Sequence, residues 1–281
     1  MKTDLHFHPS FFNRRAGFQL TEWRVPRLKE IVRKAFRKNL DMLAITSCST
    51  SEHIDPRWEE YLRELEEKGL GTYSIETLPQ GLRIGHKGLT NTLYLIHGQE
   101  LKTDKWDVNV LFASQRVPIA NSNGKFGYII DAANDSGENV LVGLNEIGRK
   151  RGKDLSEDCR IILDLYDKGK LHFIESYNAM DFVKNNNYAR AIADSTALPG
   201  IAVSDGHRLV DMARASTTFD GVGMTLRDYG GDFNGLVSRI KSDLKDRVFR
   251  THEKPCSLIS KGLYFARLSE AVVKSRLGLL R

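Results

Sequence analysis

The run Asp4-Leu5-His6-Phe7-His8 and the distant run Ser204-Asp205-Gly206-His207 hold the side chains of this sequence best suited to gripping a metal ion. Each follows a short apolar stretch that reads as a strand, residues 2–5 in the first case and 201–203 in the second. Side chains alternate across a strand, so the two imidazoles of the first run project from one face. A carboxylate and an imidazole two residues apart repeat the arrangement at the second strand end. Glu100 stands alone after a third apolar run. A lone histidine pair is more often a packing or surface feature, but an HxH, an SDGH and an isolated glutamate, all at strand ends, point together to a metal site.

Two imidazoles with two carboxylates suit Zn or Mn, with Fe as a further option, because carboxylates move the preference away from purely soft ligands. A divalent ion held this way lowers the pKa of its water from about 15.7 to about 7 and polarises a phosphoryl oxygen. Asp205 and His207 are therefore candidate catalytic groups as well as ligands. His207 could also act as general acid for a leaving oxygen, or be a packed histidine. Cys48 is a candidate thiolate ligand, or an inert buried thiol. The basic run Gly148-Arg149-Lys150-Arg151-Gly152-Lys153 follows another strand, where Arg149 and Lys150 could hold a phosphate or belong to a solvated loop. Arg14 and Arg208 flank the histidine motifs as further substrate-binding candidates. Glu175 and Asn178 are candidates for orienting ligands or substrate. His53, His86, His97, His172 and His252 have no motif context and read as structural or exposed.

These groups need elements to position them, and strand and helix patterns alternate throughout. Helical spacing of apolar residues marks 25–36, 56–68, 126–135, 157–168, 187–196, 233–244 and 263–277. Short apolar runs mark strands at 42–46, 93–96, 108–112, 140–144, 173–177, 201–203 and 248–249, with a hairpin between 73 and 84. Such alternation predicts a largely parallel sheet covered by helices, in a single domain spanning 1–281. Working residues then gather at the carboxyl ends of strands. His6, His8, Cys48, Glu100, Asn145, Asn178, Asp205 and His207 all stand at such ends.

With 281 residues, 41% hydrophobic and 28% charged, the chain can bury a full core. The absence of any long apolar run predicts no membrane partner. No apolar signal region opens the sequence, and three cysteines form no framework, which together predict a cytoplasmic protein without disulfides. A net charge of +6 favours anionic partners such as phosphate esters, nucleotides or nucleic acid.

Thr3-to-Pro9 (TDLHFHP), LDMLAIT before residue 47, HGQEL around Glu100, IESYN at 174–178 and VSDGHR at 203–208 occur in that order, and MARASTTF follows. Together they resemble the PHP family (polymerase and histidinol phosphatase), metal-dependent phosphoesterases built on a distorted seven-stranded β/α barrel related to the TIM barrel. The resemblance runs over most of the chain. It implies His6, His8, Glu100 and Asp205 around one metal, with His207 as a ligand of the family's fuller cluster. It also implies losses: Ser47-Cys48 stand where the family has Asp-His, Asn109 where it has His, and Asn145-Glu146 where it has His-Pro. A further early ligand falls near Asn13 or Arg14. The implied function is hydrolysis of a phosphate ester, in a nucleotide, a short oligonucleotide or a small phosphorylated metabolite, with one ion. The lost ligands leave a second reading open, a PHP-like binding or regulatory module that keeps one metal and turns over little. A barrel hydrolase acting on C–N bonds is a more distant third.

Overall fold

The computed structural model describes residues 1–9, 12–13, 18–19, 26–50, 55–86, 91–119, 123–137, 139–149, 154–221 and 233–276. Its strands are β1 (Lys2–Phe7), β2 (Phe12–Asn13), β3 (Phe18–Gln19), β4 (Met42–Ser49), β5 (Tyr73–Leu78), β6 (Gly81–His86), β7 (Thr92–Leu101), β8 (Asp107–Leu111), β9 (Leu141–Asn145), β10 (Phe173–Asn178), β11 (Gly200–Val203), β12 (Ser216–Phe219) and β13 (Phe249–His252). The helices are α1 (Leu28–Arg37), α2 (Arg57–Lys68), α3 (Phe126–Asp135), α4 (Leu155–Asp167), α5 (Val183–Thr196), α6 (Phe233–Lys245) and α7 (Leu258–Arg276).

Nine strands run in one order, β11-β10-β9-β8-β7-β4-β1-β12-β13, rather than the seven implied above. The β5–β6 hairpin lies antiparallel on the first half of β7. The sheet curls until it meets itself: Asp205 N donates to His6 O at 2.8 Å, and His8 N donates to Gly206 O at 2.9 Å. These bonds bridge the end of β1 to the segment leaving β11, giving a nearly closed, barrel-like sheet in a mixed α/β protein.

Parallel pairing holds between β1 and β4, β4 and β7, β9 and β10, and β10 and β11. It fails at β8, which runs antiparallel to β7 and β9, and at β12, antiparallel to β1 and β13. A parallel crossover needs about a dozen residues or more, and 102–106 is too short for one. Hence β8 returns from the edge where β7 ends, and its first residues, not its last, lie at the working edge.

The inward positions change character along each strand. Met42 and Ala44 of β4, Ile96 of β7, Leu111 of β8, Leu141 of β9, Phe173 of β10 and Val203 of β11 pack in one apolar cluster with Phe233, Leu236, Val237, Ile240 and Leu244 of α6. Continuing at a period of two on the same faces come Cys48, Glu100, Asn145, Glu175 and Asp205, with Asn109 and Asp107 on the reversed β8. The barrel thus has an apolar floor, sealed by α6, beneath a buried polar mouth. Gly143 belongs to the floor, where a Cβ would stand 2.1 Å from the Phe173 ring. The alternate, outward positions are mainly apolar: Leu43, Ile45 and Leu95 pack against α1 and α2, and Val108, Val110, Val142 and Leu144 lie beneath α3, α4 and α5.

Helix starts differ from expectation where a cap decides. The Asp154 side chain accepts from Ser156 N and Glu157 N at 3.0 and 3.1 Å, so α4 opens before 157. Among the described residues no helix is long and apolar enough to cross a membrane, and all three cysteines are free thiols.

Asp4 ties the two ends of the candidate motif together. Fully buried, it accepts from Ser204 N at 3.1 Å and from Ala213 N at 2.9 Å. Burial raises its carboxyl to about 6 despite those bonds. Replacing Asp4 by Ala orphans two buried amides at about 1–3 kcal/mol each. We expect Asp4→Ala to lose about 2–5 kcal/mol in urea denaturation, and an unchanged midpoint would contradict this role.

Candidate metal centre

β1 delivers His6 and His8 to the mouth with their Nε2 atoms 2.8 Å apart. Asp205, at the bend after β11, places Oδ1 3.6 Å from each of those nitrogens and 3.7 Å from His207 Nε2. Its φ of 46° lies in the left-handed region, a strained setting that turns the carboxylate inward. Glu100, at the end of β7, lies 3.5 Å from His8 Nε2 through Oε2 and 3.9 Å from His6 Nε2 through Oε1. Cys48 is paired with Glu100 across the β4–β7 ladder and donates to Glu100 Oε2 at 2.8 Å. All these side chains are buried.

Does this set fit a metal? Asp205 Oδ1 is fully buried and accepts no hydrogen bond among the described residues, although three imidazole nitrogens surround it. Four ligand atoms at about 2.0–2.1 Å from a tetrahedral ion stand about 3.3–3.4 Å apart, close to most of the separations here. His6 Nδ1 donates to Glu175 Oε1 at 2.6 Å, which leaves Nε2 to face the cluster, the usual support of a metal-binding imidazole. Burial alone pulls the His6 pKa down, yet Glu175, Asp205 and Glu100 more than reverse it, to about 10. His8 goes the other way, held well below its ordinary value by burial and by the neighbouring histidines. The carboxylates that favour a charge on His6 make a field that also holds a cation. The donor set fits a divalent ion of the Zn or Mn kind.

Protein cations and amides brace the acids. Asn178 Nδ2 donates to Asp205 Oδ2 at 3.0 Å, and Arg149 Nη2 donates to the same oxygen at 3.1 Å. Arg149 also donates through Nε to Asp181 Oδ1 at 2.9 Å and bonds Glu146. It is set there by a single 3-10 turn, Ile147–Arg149, pressed onto α5; a Cβ on Gly148 would lie 2.3 Å from Asn185 O. Together with His6, Arg149 holds the Asp205 carboxyl below its ordinary value against the effect of burial. Asn145 Nδ2 donates to Glu100 Oε1 at 2.9 Å, and Asn109 Nδ2 reaches Leu5 O at 3.3 Å.

Of the residues singled out above, His6, His8, Cys48, Glu100, Asn178, Asp205, His207 and Arg149 come together. His207 is stacked between His8 and Tyr264, ring centroids 4.9 and 4.7 Å away. Arg208 lies outward, bonded to Asp211 Oδ2 at 3.1 Å and to Ser260. Arg14, Lys150 and His53 fall outside the described residues. Sequence reasoning missed Lys102, Asp107, Asp181 and Tyr264. The signal for Lys102 was its parity, two residues beyond Glu100 on the same strand face.

No family model matches the chain, and no curated protein matches it. Solved structures do. PsfC from Pseudomonas syringae PB-5123 is similar over 99% of this chain and 98% of its own, at 19% identity and a TM-score of 0.57. The lesion-specific endonuclease PfuEndoQ from Pyrococcus furiosus is similar over 87% of this chain, at 16% identity and a TM-score of 0.51. This chain spans 56% of that protein's length. At such identities the likeness shows a shared fold.

The Glu175–His6 bond gives a measurable consequence. Glu175→Gln keeps the shape and removes the charge that aligns His6, so Zn affinity, read by chelator competition, is expected to fall about 10–100-fold with the fold intact. Equal affinity in the variant would show that His6 needs no such support.

Proposed function

We propose that this chain is a metal-dependent hydrolase of phosphate esters, with one divalent ion held by His6, His8, Glu100 and Asp205. The observation that supports it most is the convergence of two Nε2 atoms on the buried Oδ1 of Asp205, an oxygen with no hydrogen bond among the described residues. An ion bound there supplies a water acidified toward neutral pH and a Lewis acid for a phosphoryl oxygen. The remaining tasks fall to side chains. Glu175 fixes the His6 ring through Nδ1, and Asn178 and Arg149 fix Asp205 through Oδ2. Arg149 adds a positive charge beside the place where phosphate oxygens would lie. His207, clamped between two rings with Nε2 toward Asp205, is positioned to hand a proton to a leaving oxygen. Cys48 stands beside Glu100 as an additional ligand for a thiophilic ion such as Zn. Arg14, Lys150 and Arg208 are proposed rim contacts to substrate.

The sequence resemblance to the PHP family supports the same reading, including its single domain over 1–281. A ring closed through the Phe7–Gly206 bridge passes through β1, β4, β7, β8, β9, β10 and β11, which fits the family's seven-stranded barrel, with β12 and β13 continuing the sheet from the start of β1. Substrates are a nucleotide, a short oligonucleotide or a small phosphorylated metabolite. The net charge of +6 and a fold shared with an endonuclease fit the first two.

One observation favours a second reading, a binding module with little turnover. The Arg149 donors named above are engaged by Glu146, Asp181 and Asp205 within the protein, which leaves that side chain less available to a substrate phosphate.

Elemental analysis of protein purified without chelator separates the readings when joined to a phosphoester screen. About one equivalent of Zn or Mn is expected, lost in His6→Ala, with hydrolysis falling about 100-fold or more in Glu100→Ala. Metal retained in full by both variants, with activity unchanged, would sink the hydrolase. Tight nucleotide binding without cleavage under every divalent metal would install the binding module in its place.

A further inference from the structure

We propose that the Lys102 ammonium is a built-in cation seated in a second metal pocket, and that it limits the centre to one ion. This rests on the hydrolase reading above and specifies its metal count. Glu100, Asp107 and Glu146 bring carboxylate oxygens within 4.8 Å of one another, a group able to hold a cation. Lys102 already stands in that group: Nζ lies 2.5 Å from Glu100 Oε1, 2.5 Å from Asp107 Oδ2 and 3.8 Å from Glu146 Oε2.

The backbone places it there. Lys102 follows the last residue of β7 and shares the inward face of Glu100, and its N–H donates to Ser49 O at 3.0 Å, which pins the stem at the strand end. The side chain is 13% exposed, so the ammonium is directed into the mouth rather than into solvent. Lysine suits the place, being a compact point charge with three donors that can face three carboxylates. Glu146 meets it from a left-handed backbone, φ 55°, immediately after β9.

Glu100 is therefore shared between two cation positions. Oε2 faces His8 and Cys48, and Oε1 faces Lys102 and Asn145. A cation tethered to the chain cannot be removed by a chelator and cannot be joined by an ion in the same space. Without it, Glu100 and Asp107 would lose their close cation while Glu146 kept Arg149, and a divalent ion with oxygen ligands is what such a group would recruit.

The test is Mn stoichiometry after dialysis against Mn2+, in the native protein, Lys102→Ala, Lys102→Gln and Lys102→Arg. About one equivalent is expected in the native protein and in K102R, rising to about two in K102A and K102Q. Adding Asp107→Asn to K102Q should return the count to about one. A native count near one that stays there in whichever of K102A and K102Q folds overturns the proposal and leaves the hydrolase standing. So does a native count of two. Failure of both variants to fold even with Mn2+ supplied also overturns it, since the ammonium is then not exchangeable for an ion. A native protein that takes up no ion overturns the hydrolase reading as well.

Discussion

Six carboxylates buried at one end of a barrel set the terms for everything around them. Glu100, Asp107, Glu146, Glu175, Asp181 and Asp205 are each at most 6% exposed. Taking an ionised carboxylate out of water costs several kcal/mol, and the cost is offset only by matched cations and well-aimed donors. The mouth is built from such matches. Lys102 balances Glu100 and Asp107, Arg149 joins Glu146, Asp181 and Asp205, and the His6 proton answers Glu175. Asn145 and Asn178 supply neutral donors where a further charge would not fit. One oxygen that accepts no hydrogen bond among the described residues, Asp205 Oδ1, is aimed at the two Nε2 atoms.

That arrangement survives only on a rigid base. The inward faces of the strands are filled below the mouth by aliphatic and aromatic side chains from the sheet and from α6, and such interiors pack too densely to let a strand slide. A shift of one residue in β1 would turn both histidines out of the barrel. Two features hold its register: the Asp205–His6 and His8–Gly206 backbone bonds, and Asp4 gripping the amides of Ser204 and Ala213. The strained turn at Asp205 persists because the chain on either side is pinned in this way.

The parity of polar residues on apolar strands makes much of the centre legible in the sequence alone. His6 and His8, Glu100, and Asp205 with His207 were each readable as inward groups at strand ends, and they meet. Strand direction was not legible at β8: a polar Asp107 and Asn109 precede apolar Val110 and Leu111, and only the shortness of 102–106 shows that the strand is reversed. β12 escaped notice because Ser216-Thr217-Thr218-Phe219 carries β-branched but polar side chains, which a search for apolar runs passes over. Lys102 and Asp181 were hidden for a different reason. Charged residues are ordinarily solvent-facing, and what marks these two as interior is their partners, which are distant in sequence.

The two protein cations differ in kind, and the difference matches their places. Arg149 is a planar fork, 22% exposed, reaching Asp181 and Asp205. Lys102 is a point charge deeper in the mouth, on the far oxygen of Glu100 from His8. A fork can share its donors between a carboxylate and an arriving phosphate, because its N–H groups point in several directions at once. An ammonium held at 2.5 Å by two carboxylates acts on its surroundings chiefly through charge. The same buried acids that demand cations thus sort them, an ammonium inside and a guanidinium fork at the edge, with the imidazole pair and Asp205 Oδ1 between.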